Sequence, residues 1–439
     1  MPEPSFDVAY GANPWATFQT NQHTVYVPDL LETFRRQAAF YRLVDYKVDL
    51  AAQRTGQMVF TQLFDPEPNT AELDQRALWL PQLYVDSRSR TITVAHYGGK
   101  VQLRRWDDMI TYWRENGKEG MRAILRSRLG PNMIATLDLL ARNAFLRCGR
   151  YSFAGSATGF ATLAKTDVFN PEVCRIQQLS ADYAVDPVDN PIFCVTSPAA
   201  VYQMRKDGTE FIERVQYADP ARLINYEIGM YEGVRFSTAS ALTLYNCGEI
   251  ITQKTITAAL NPGDGAASSD EGWSVGQPGT AGVHVDTVTN LNVGDIVTLH
   301  RVRATASDAP LATTNGPIFD HPYNIVREIV AIDGPHNIVY LNAPVLVDWF
   351  STAISAGVYG YLTKARHIHA AVFVKGPQGV VCGVAQPPQT YEPPAIDDTM
   401  SVFRFTWDAR LKYQPFYPER VHVYFFAGPV AGRSSLIDL

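Results

Sequence analysis

The sequence lacks the features that mark several large functional classes. It contains no apolar run near the ~18 residues of a membrane-spanning helix, and it opens without the basic stretch and apolar core of a secretory signal. Basic and acidic residues are nearly balanced, 38 against 44, so the excess of positive charge typical of nucleic-acid-binding proteins is missing. We therefore expect a cytoplasmically made protein that binds neither membranes nor specific nucleic-acid sequences.

Signatures of catalysis and metal binding are missing as well. The five cysteines are scattered and odd in number, which predicts buried, reduced thiols rather than a disulfide framework. The chain has no GxSxG, GxGxxG or GxxxxGK[ST] motif. His367 and His369 could share a strand face, but no third ligand follows at a convincing spacing. We expect no catalytic residue, no cofactor and no metal site.

Length and composition indicate a globular protein with more than one domain. A chain of 439 residues exceeds what one hydrophobic core usually serves. Residues 252–362 are rich in Thr, Val, Gly, Pro and Asn and poor in helix signals. Short apolar strands alternate there with turns, for example at 294–300 and 326–341, in a pattern similar to small β-barrels. This segment is predicted to be a small all-β domain inserted into a main fold formed by residues 28–251 and 363–439.

The strongest helix signal covers residues 119–148. Apolar residues recur there at steps of one, three and four, which is the helical period, and Gly130-Pro131 predicts a kink or a break within it. A shorter helix is predicted after the buried strand at 192–196, with Ser197 as its N-cap and Pro198 in its first turn.

An extended arm is predicted at about residues 54–104. Its strands, at 58–63 and 91–97, flank a polar connection that contains Pro66, Pro68 and Pro81. A long connection with little structure of its own is unusual within a compact domain and is often functional.

Residues 217–236 carry the most characteristic pattern of the chain. Asp219-Pro220 begins a short helix, and Glu227-Ile228-Gly229 then leads through Glu232-Gly233 into a strand at 234–236. The two glycines, four residues apart, mark a tight corner. With the order of elements along the chain (arm, helix, extended loop, long helix, Ser-Pro helix, glycine corner, terminal strands), this pattern resembles the major capsid proteins of tailed bacteriophages, which have the Hong Kong 97 fold. The resemblance covers most of the chain outside 252–362.

This resemblance implies an α+β capsid fold with peripheral and axial domains, in which residues 1–27 form an N-terminal arm, 54–104 the extended loop and 119–148 the spine helix. It implies a non-enzymatic protein that self-assembles into the icosahedral head shell of the virion, around double-stranded DNA, in the host cytoplasm. The expected partners are other copies in hexamers and pentamers, a portal protein and a separate scaffolding protein, because the N-terminal arm is too short to be a fused scaffold. The inserted domain is a candidate site for a decoration protein.

The same resemblance implies particular contacts. An extended loop lies over a neighbouring subunit, so its charged residues are predicted to contact that neighbour; these are Glu67, Glu72, Asp74, Arg88 and Arg90. The strands at 403–407 and 421–426 are expected to pair with each other, joined by an aromatic, proline-containing connection at 410–418.

Two other classes remain open at this point. A tail-associated or carbohydrate-binding structural protein would suit the β-rich, aromatic part of the chain, but it leaves the long helix and the arm unexplained. A soluble enzyme with a β-rich accessory domain would require a convergent polar site, and the sequence suggests none.

Overall fold

The computed structural model describes the chain in separate stretches. They are residues 39–40, 43–47, 57–63, 85–104, 120–148, 150–182, 192–206, 212–213, 227–260, 282–303, 324–343, 345, 347, 349–376, 379–393 and 402–428. The predicted N-terminal arm, the predicted helix from Pro28, the helix from Asp219 and the acidic tip of the extended loop lie outside these stretches.

The described part is mostly β-structure with three α-helices. The helices are α1 (Gly120–Leu146), α2 (Glu172–Asp182) and α3 (Pro198–Lys206). The strands are β1 (Asp45–Lys47), β2 (Gln57–Leu63), β3 (Ser87–Thr93), β4 (Ala95–Arg104), β5 (Tyr151–Phe153), β6 (Ile192–Thr196), β7 (Ile212–Glu213), β8 (Glu227–Tyr231), β9 (Val234–Thr238), β10 (Thr243–Leu244), β11 (Ile250–Ile256), β12 (Val283–His284), β13 (Ile296–His300), β14 (Asn324–Asp333), β15 (Ile338–Leu341), β16 (Gly360–Ala365), β17 (Ile368–Val374), β18 (Val380–Tyr391), β19 (Val402–Pro415) and β20 (Val421–Phe426).

The chain divides into two compact units, the first of which comprises Met1–Ala38, Tyr46–Leu137 and Cys382–Tyr413. It holds a four-stranded sheet in the order β1-β18-β19-β4 and a two-stranded ribbon of β2 and β3. β4 pairs with β19 over ten residues, and Trp407 of β19 is 2% exposed. A Cβ at Gly99 would lie 2.8 Å from the indole nitrogen of Trp407, so glycine leaves the space that this ring fills.

The second unit, Ala39–Asp45, Asp138–Val381 and Gln414–Leu439, contains an eight-stranded sheet. Its main path runs β5-β20-β17-β6-β9-β8-β7, and β10 also pairs with β17. Every residue of β17 is buried, which is typical of a strand covered on both faces. Rings of Phe153, Phe160 and Phe425 pack with centroids 4.8–5.5 Å apart at one end of the sheet.

The glycine corner predicted at 229–233 is confirmed as a β-hairpin between β8 and β9. Tyr231 pairs with Val234, and the two residues between them, Glu232 and Gly233, have φ angles of 47° and 75°. Positive φ at both positions is what a tight type I′ hairpin turn requires. The register shifts by one residue between Glu227 and Gly229, so the other glycine lies at a β-bulge.

Within the second unit, the described residues between 250 and 365 form a small β-barrel. Its strands follow the order β11-β16-β13-β14-β15-β12. The sheet closes because Val285, just after β12, bridges back to Ile256 at the end of β11. The interior is apolar and fully buried, with Val297, Leu299 and Phe350 among its residues. This bridge brings the two outer strands of the sheet together, as closure into a barrel requires.

The structure corrects three details of the sequence reading. α1 runs through Pro131 without the break that Gly130-Pro131 allowed, because packing on the stripe Leu129, Met133 and Leu137 outweighs one missing hydrogen bond. The strands at 403–407 and 421–426 do not pair with each other. β19 pairs with β4 in the first unit, whereas β20 pairs with β17 and β5 in the second.

Consecutive prolines favour a loop, but Pro387 and Pro388 both belong to β18. Among the described residues, the neighbour of this strand on one side is the three-residue β1. Prolines, which donate no hydrogen bond, are tolerated where a strand edge is largely unpaired. The predicted helix after Ser197 is confirmed as α3, although the Ser197 hydroxyl forms no hydrogen bond within the described residues.

Candidate assembly surfaces

The β2–β3 ribbon is a candidate contact surface because it forms a sheet by itself. Its strands are antiparallel, with Gln57 opposite Thr93 at one end and Leu63 opposite Ser87 at the other. Within the described part of the chain, neither outer edge pairs with a third strand. An isolated two-stranded ribbon is at best marginally stable in water. Its order therefore depends on contacts made by its faces or edges.

The two faces of the ribbon differ sharply. Ile92, on one face, is only 1% exposed, whereas Val59, on the other, is 58% exposed. Successive side chains of a strand point to opposite faces of the ribbon. The residues at alternate positions from Val59, and their partners on β3, therefore lie on the same face as Val59. This open face carries Gln57, Val59, Thr61, Ser87, Ser89, Thr91 and Thr93. This face is uncharged and rich in β-branched residues.

The charged residues predicted to make contacts are only partly described. Glu67, Glu72 and Asp74 lie outside the described residues. Arg88 pairs in register with Gln62, and Arg90 pairs with Phe60. Arg90 is half-buried and lies on the same face as Ile92, away from the open face. The contact of these five residues with a neighbouring copy therefore stays a prediction.

Helix α2 presents a second candidate surface, which sequence reasoning did not single out. Ile176 and Leu179, one turn apart, are 52% and 54% exposed, whereas Cys174 on the same helix is fully buried. Arg175 beside them forms an ion pair with Glu232 of the β8–β9 turn at 3.1 Å. Exposed apolar residues at the centre of a helix face, with charges at the rim, are typical of a protein–protein contact.

Two buried ionisable groups of the second unit, the Cys174 thiol and the His369 imidazole, are neutral at pH 7 because burial shifts their pKa values. Burial, together with the nearby Glu232 carboxylate, raises the pKa of the Cys174 thiol to about 12. Burial lowers the pKa of His369 to about 4. All five cysteines are free and buried, which confirms the prediction of reduced thiols. A thiol held neutral by burial is not a reactive nucleophile.

The histidine pair considered as a metal site binds the backbone instead. The Asn246 amide donates a hydrogen bond to Nδ1 of His367 at 3.1 Å. Nε2 of His369 donates to the Gly428 carbonyl at 3.1 Å. Among the residues described, no group of three or more His, Cys, Asp or Glu side chains could hold a metal ion. None of the described helices is long and apolar enough to cross a membrane.

This architecture is that of a known class of fold. The structure aligns with the capsid of Ralstonia phage GP4 over 90% of this chain and 93% of that chain, with a TM-score of 0.50 and 11% sequence identity. The capsid of cyanophage P-SCSP1u covers 90% of this chain and 89% of that chain (TM-score 0.46, 8% identity). The head protein of Helicobacter pylori bacteriophage KHP40 covers 90% and 91% (TM-score 0.45, 9% identity).

The GP4 match shows that the two chains share a fold; the two weaker matches add nothing to this conclusion. No protein-family profile matches the sequence, and no curated protein matches it by sequence.

Proposed function

We propose that this chain is the major capsid protein of a tailed bacteriophage, which assembles in many copies into an icosahedral head shell around double-stranded DNA. The observation that carries the proposal is the likeness in fold to the Ralstonia phage GP4 capsid, which extends over nearly the whole of both chains. The element order and the glycine corner of the sequence indicate the same class. The likeness in fold and the sequence pattern support the proposal independently, because the two sequences are only 11% identical.

The parts of the structure fit the roles of a Hong Kong 97-type subunit. We assign the role of the extended loop to the β2–β3 ribbon and that of the spine helix to α1. We assign the eight-stranded sheet to the axial domain, the four-stranded sheet to the peripheral domain and the barrel to an inserted domain. A ribbon whose edges pair with no third strand among the described residues, and whose open face is uncharged, suits an arm ordered by a neighbouring copy.

The partners follow from this role. Copies of the chain meet in hexamers and pentamers, a portal protein occupies one vertex, and a separate scaffolding protein directs assembly in the host cytoplasm. The barrel is the candidate docking site for a decoration protein. The acidic tip of the extended loop, with Glu67, Glu72 and Asp74, contacts basic groups of a neighbour. The role is structural and non-enzymatic, in keeping with the neutral, buried thiols and histidines of the second unit.

Electron microscopy of the protein expressed alone and together with its scaffolding protein tests the proposal. Permanent assemblies bury several thousand Å² per interface, so many individually weak contacts become collectively decisive. We expect rings or shells in negative stain. Fibres would favour the tail-associated alternative, and a monodisperse monomer at high concentration under both conditions would contradict the capsid assignment.

A further inference from the structure

Two short linkers join the barrel to the eight-stranded sheet. The outgoing linker, residues 245–249, leads from β10 to β11, and the returning linker, residues 366–367, leads from β16 to β17. The amide of Gly248 donates to the Arg366 carbonyl at 2.9 Å, and the amide of Arg366 donates to the Glu249 carbonyl at 2.9 Å. The Arg366 guanidinium also lies 3.1 Å from the Glu249 carboxylate. The linkers are therefore paired with each other.

The pairing leaves little room for a side chain at Gly248. A Cβ there would lie 3.0 Å from the Arg366 carbonyl oxygen and 3.2 Å from a methyl group of Ile368. Flexible domain linkers behave as random coils without internal contacts. These two linkers instead continue the antiparallel pairing of β11 with β16, in which Ile250 lies opposite Ala365.

Asn246 lies at the centre of this junction. It is 1% exposed, and its φ of 56° is a left-handed conformation that asparagine tolerates better than most residues. Its side-chain NH₂ donates to the Thr298 hydroxyl at 2.8 Å, and its side-chain oxygen accepts from the Ala365 amide at 3.0 Å. Its own amide donates to Nδ1 of His367 at 3.1 Å. One residue thus binds β13, β16 and the returning linker.

The barrel strands are adapted to receive this contact. Thr298 and Thr363 are opposite each other in β13 and β16, and both are fully buried. Thr363 also accepts a hydrogen bond from the Gln253 side chain at 2.9 Å. Buried polar groups are costly unless they are paired. The barrel therefore has a buried polar patch on its outer side, where Asn246 bonds to Thr298.

We propose that Asn246 locks the barrel to the eight-stranded sheet, so that the two move as one body. The three hydrogen bonds fix the outgoing linker on the barrel and on the returning linker at once. The inference concerns the chain itself, so it stands or falls independently of the proposed role in a shell.

Hydrogen–deuterium exchange of Asn246→Gly tests the lock, because glycine keeps the left-handed backbone and removes only the side-chain amide. We expect the amides of Gly248, Ala365 and Arg366 to exchange about ten- to a hundredfold faster, as a buried donor loses its partner. Amides in the centre of β17 should stay protected. The control is Asn290→Gly, where the asparagine is exposed and has a φ of 68°; it should leave the three junction amides unchanged.

Two outcomes overturn the proposal. Unchanged exchange at the junction in Asn246→Gly would mean that the side chain locks nothing. Equal acceleration at the junction and in β17 would indicate a general loss of stability. If Asn246→Gly does not fold, Thr298→Val decides, since it removes only one of the partners. An increase confined to the three junction amides supports the lock, whereas no increase or a uniform one overturns it.

Discussion

The barrel and the β2–β3 ribbon differ most in how their outer strands are paired. The barrel closes through the bridge between Ile256 and Val285 and fills its interior with fully buried apolar side chains. In the described part of the chain, the ribbon consists of two strands and leaves one face open, with Val59 58% exposed. A closed barrel with its own core has the means to fold by itself, whereas a two-stranded ribbon does not. The barrel is thus stabilised by its own core, whereas the ribbon depends on contacts with residues beyond its two strands.

Removing the barrel is the most drastic test of this comparison. Joining Glu249 to Arg366 through a short Gly/Ser linker deletes residues 250–365, whose ends are already paired neighbours. We expect the eight-stranded sheet to keep a cooperative thermal transition, because all of its strands lie outside the deletion. Asn246 loses two bonds but gains access to water, so the cost at that position is small.

Circular dichroism and calorimetry of the shortened chain provide the measurement. A chain that has lost its cooperative transition would show that the barrel belongs to the core of the second unit. In the assembled state, the expected defect is a less stable shell or the loss of decoration-protein binding.

A cavity in the barrel core should destabilise the barrel itself. Phe350 is fully buried, and a Cβ at Gly360 would lie 2.7 Å from its ring, which shows how tightly the ring is enclosed. Phe350→Ala should lower the free energy of unfolding by about 3–5 kcal/mol. Chemical denaturation would measure this loss of stability, and hydrogen exchange of the amides in β13 and β16 would locate it in the barrel. The exposed Ile354→Ala is the matched control, and an equal loss in that variant would contradict a self-contained barrel core.

Acid should affect the unit that carries the barrel before the unit that carries the ribbon. Burial lowers the pKa of His369 from 6.5 to about 4, so between these pH values the unfolded chain binds a proton that the folded chain excludes. His422 in the same sheet has its pKa lowered to about 4 by burial and by the nearby charges of Lys375 and Arg150. The histidine described in the ribbon's unit, His96, is 59% exposed.

The stability contributed by a neutral His369 is complete above pH 6.5 and is lost as the pH falls toward 4. The loss is on the order of 3 kcal/mol, at ~1.4 kcal/mol per pKa unit. Unfolding free energies measured from pH 7 to pH 4 should show this slope, and His369→Gln should reduce it by about half, because His422 contributes a similar amount. The same slope in both proteins would assign the acid sensitivity to other groups.

The parts of the fold that the sequence predicted well are those fixed by local chemistry. Gly233 indicated a tight corner, and the structure has a type I′ turn there. The stripe through Leu129, Met133 and Leu137 predicted α1, because its period is a property of the helix itself.

The parts that sequence reasoning missed depend on distant partners. β19 and β20 are consecutive strands of the chain, and nothing in their local sequence indicates that each joins a different sheet. Asn246 was overlooked for the same reason. Its partners Thr298 and Ala365 are 52 and 119 residues away, and an asparagine between two short strands resembles any turn residue.

The finest test of the comparison uses two valines of almost equal exposure. Val59 on the ribbon is 58% exposed, and Val293 in the turn before β13 of the barrel is 61% exposed. Replacing either by Lys removes little buried surface, so the free energy of unfolding of the subunit should change by less than ~0.5 kcal/mol.

The effects of the two substitutions on assembly should nevertheless differ. A lysine on the open face of the ribbon places a charge where a neighbouring copy is expected to pack, and a buried unpaired charge is strongly unfavourable. Val59→Lys should therefore reduce the yield of shells in negative stain and raise the concentration needed for assembly, while Val293→Lys should assemble like the native protein. Native assembly of Val59→Lys would show that the open face contacts no neighbour, and a large drop in its melting temperature would show that Val59 packs on its own subunit.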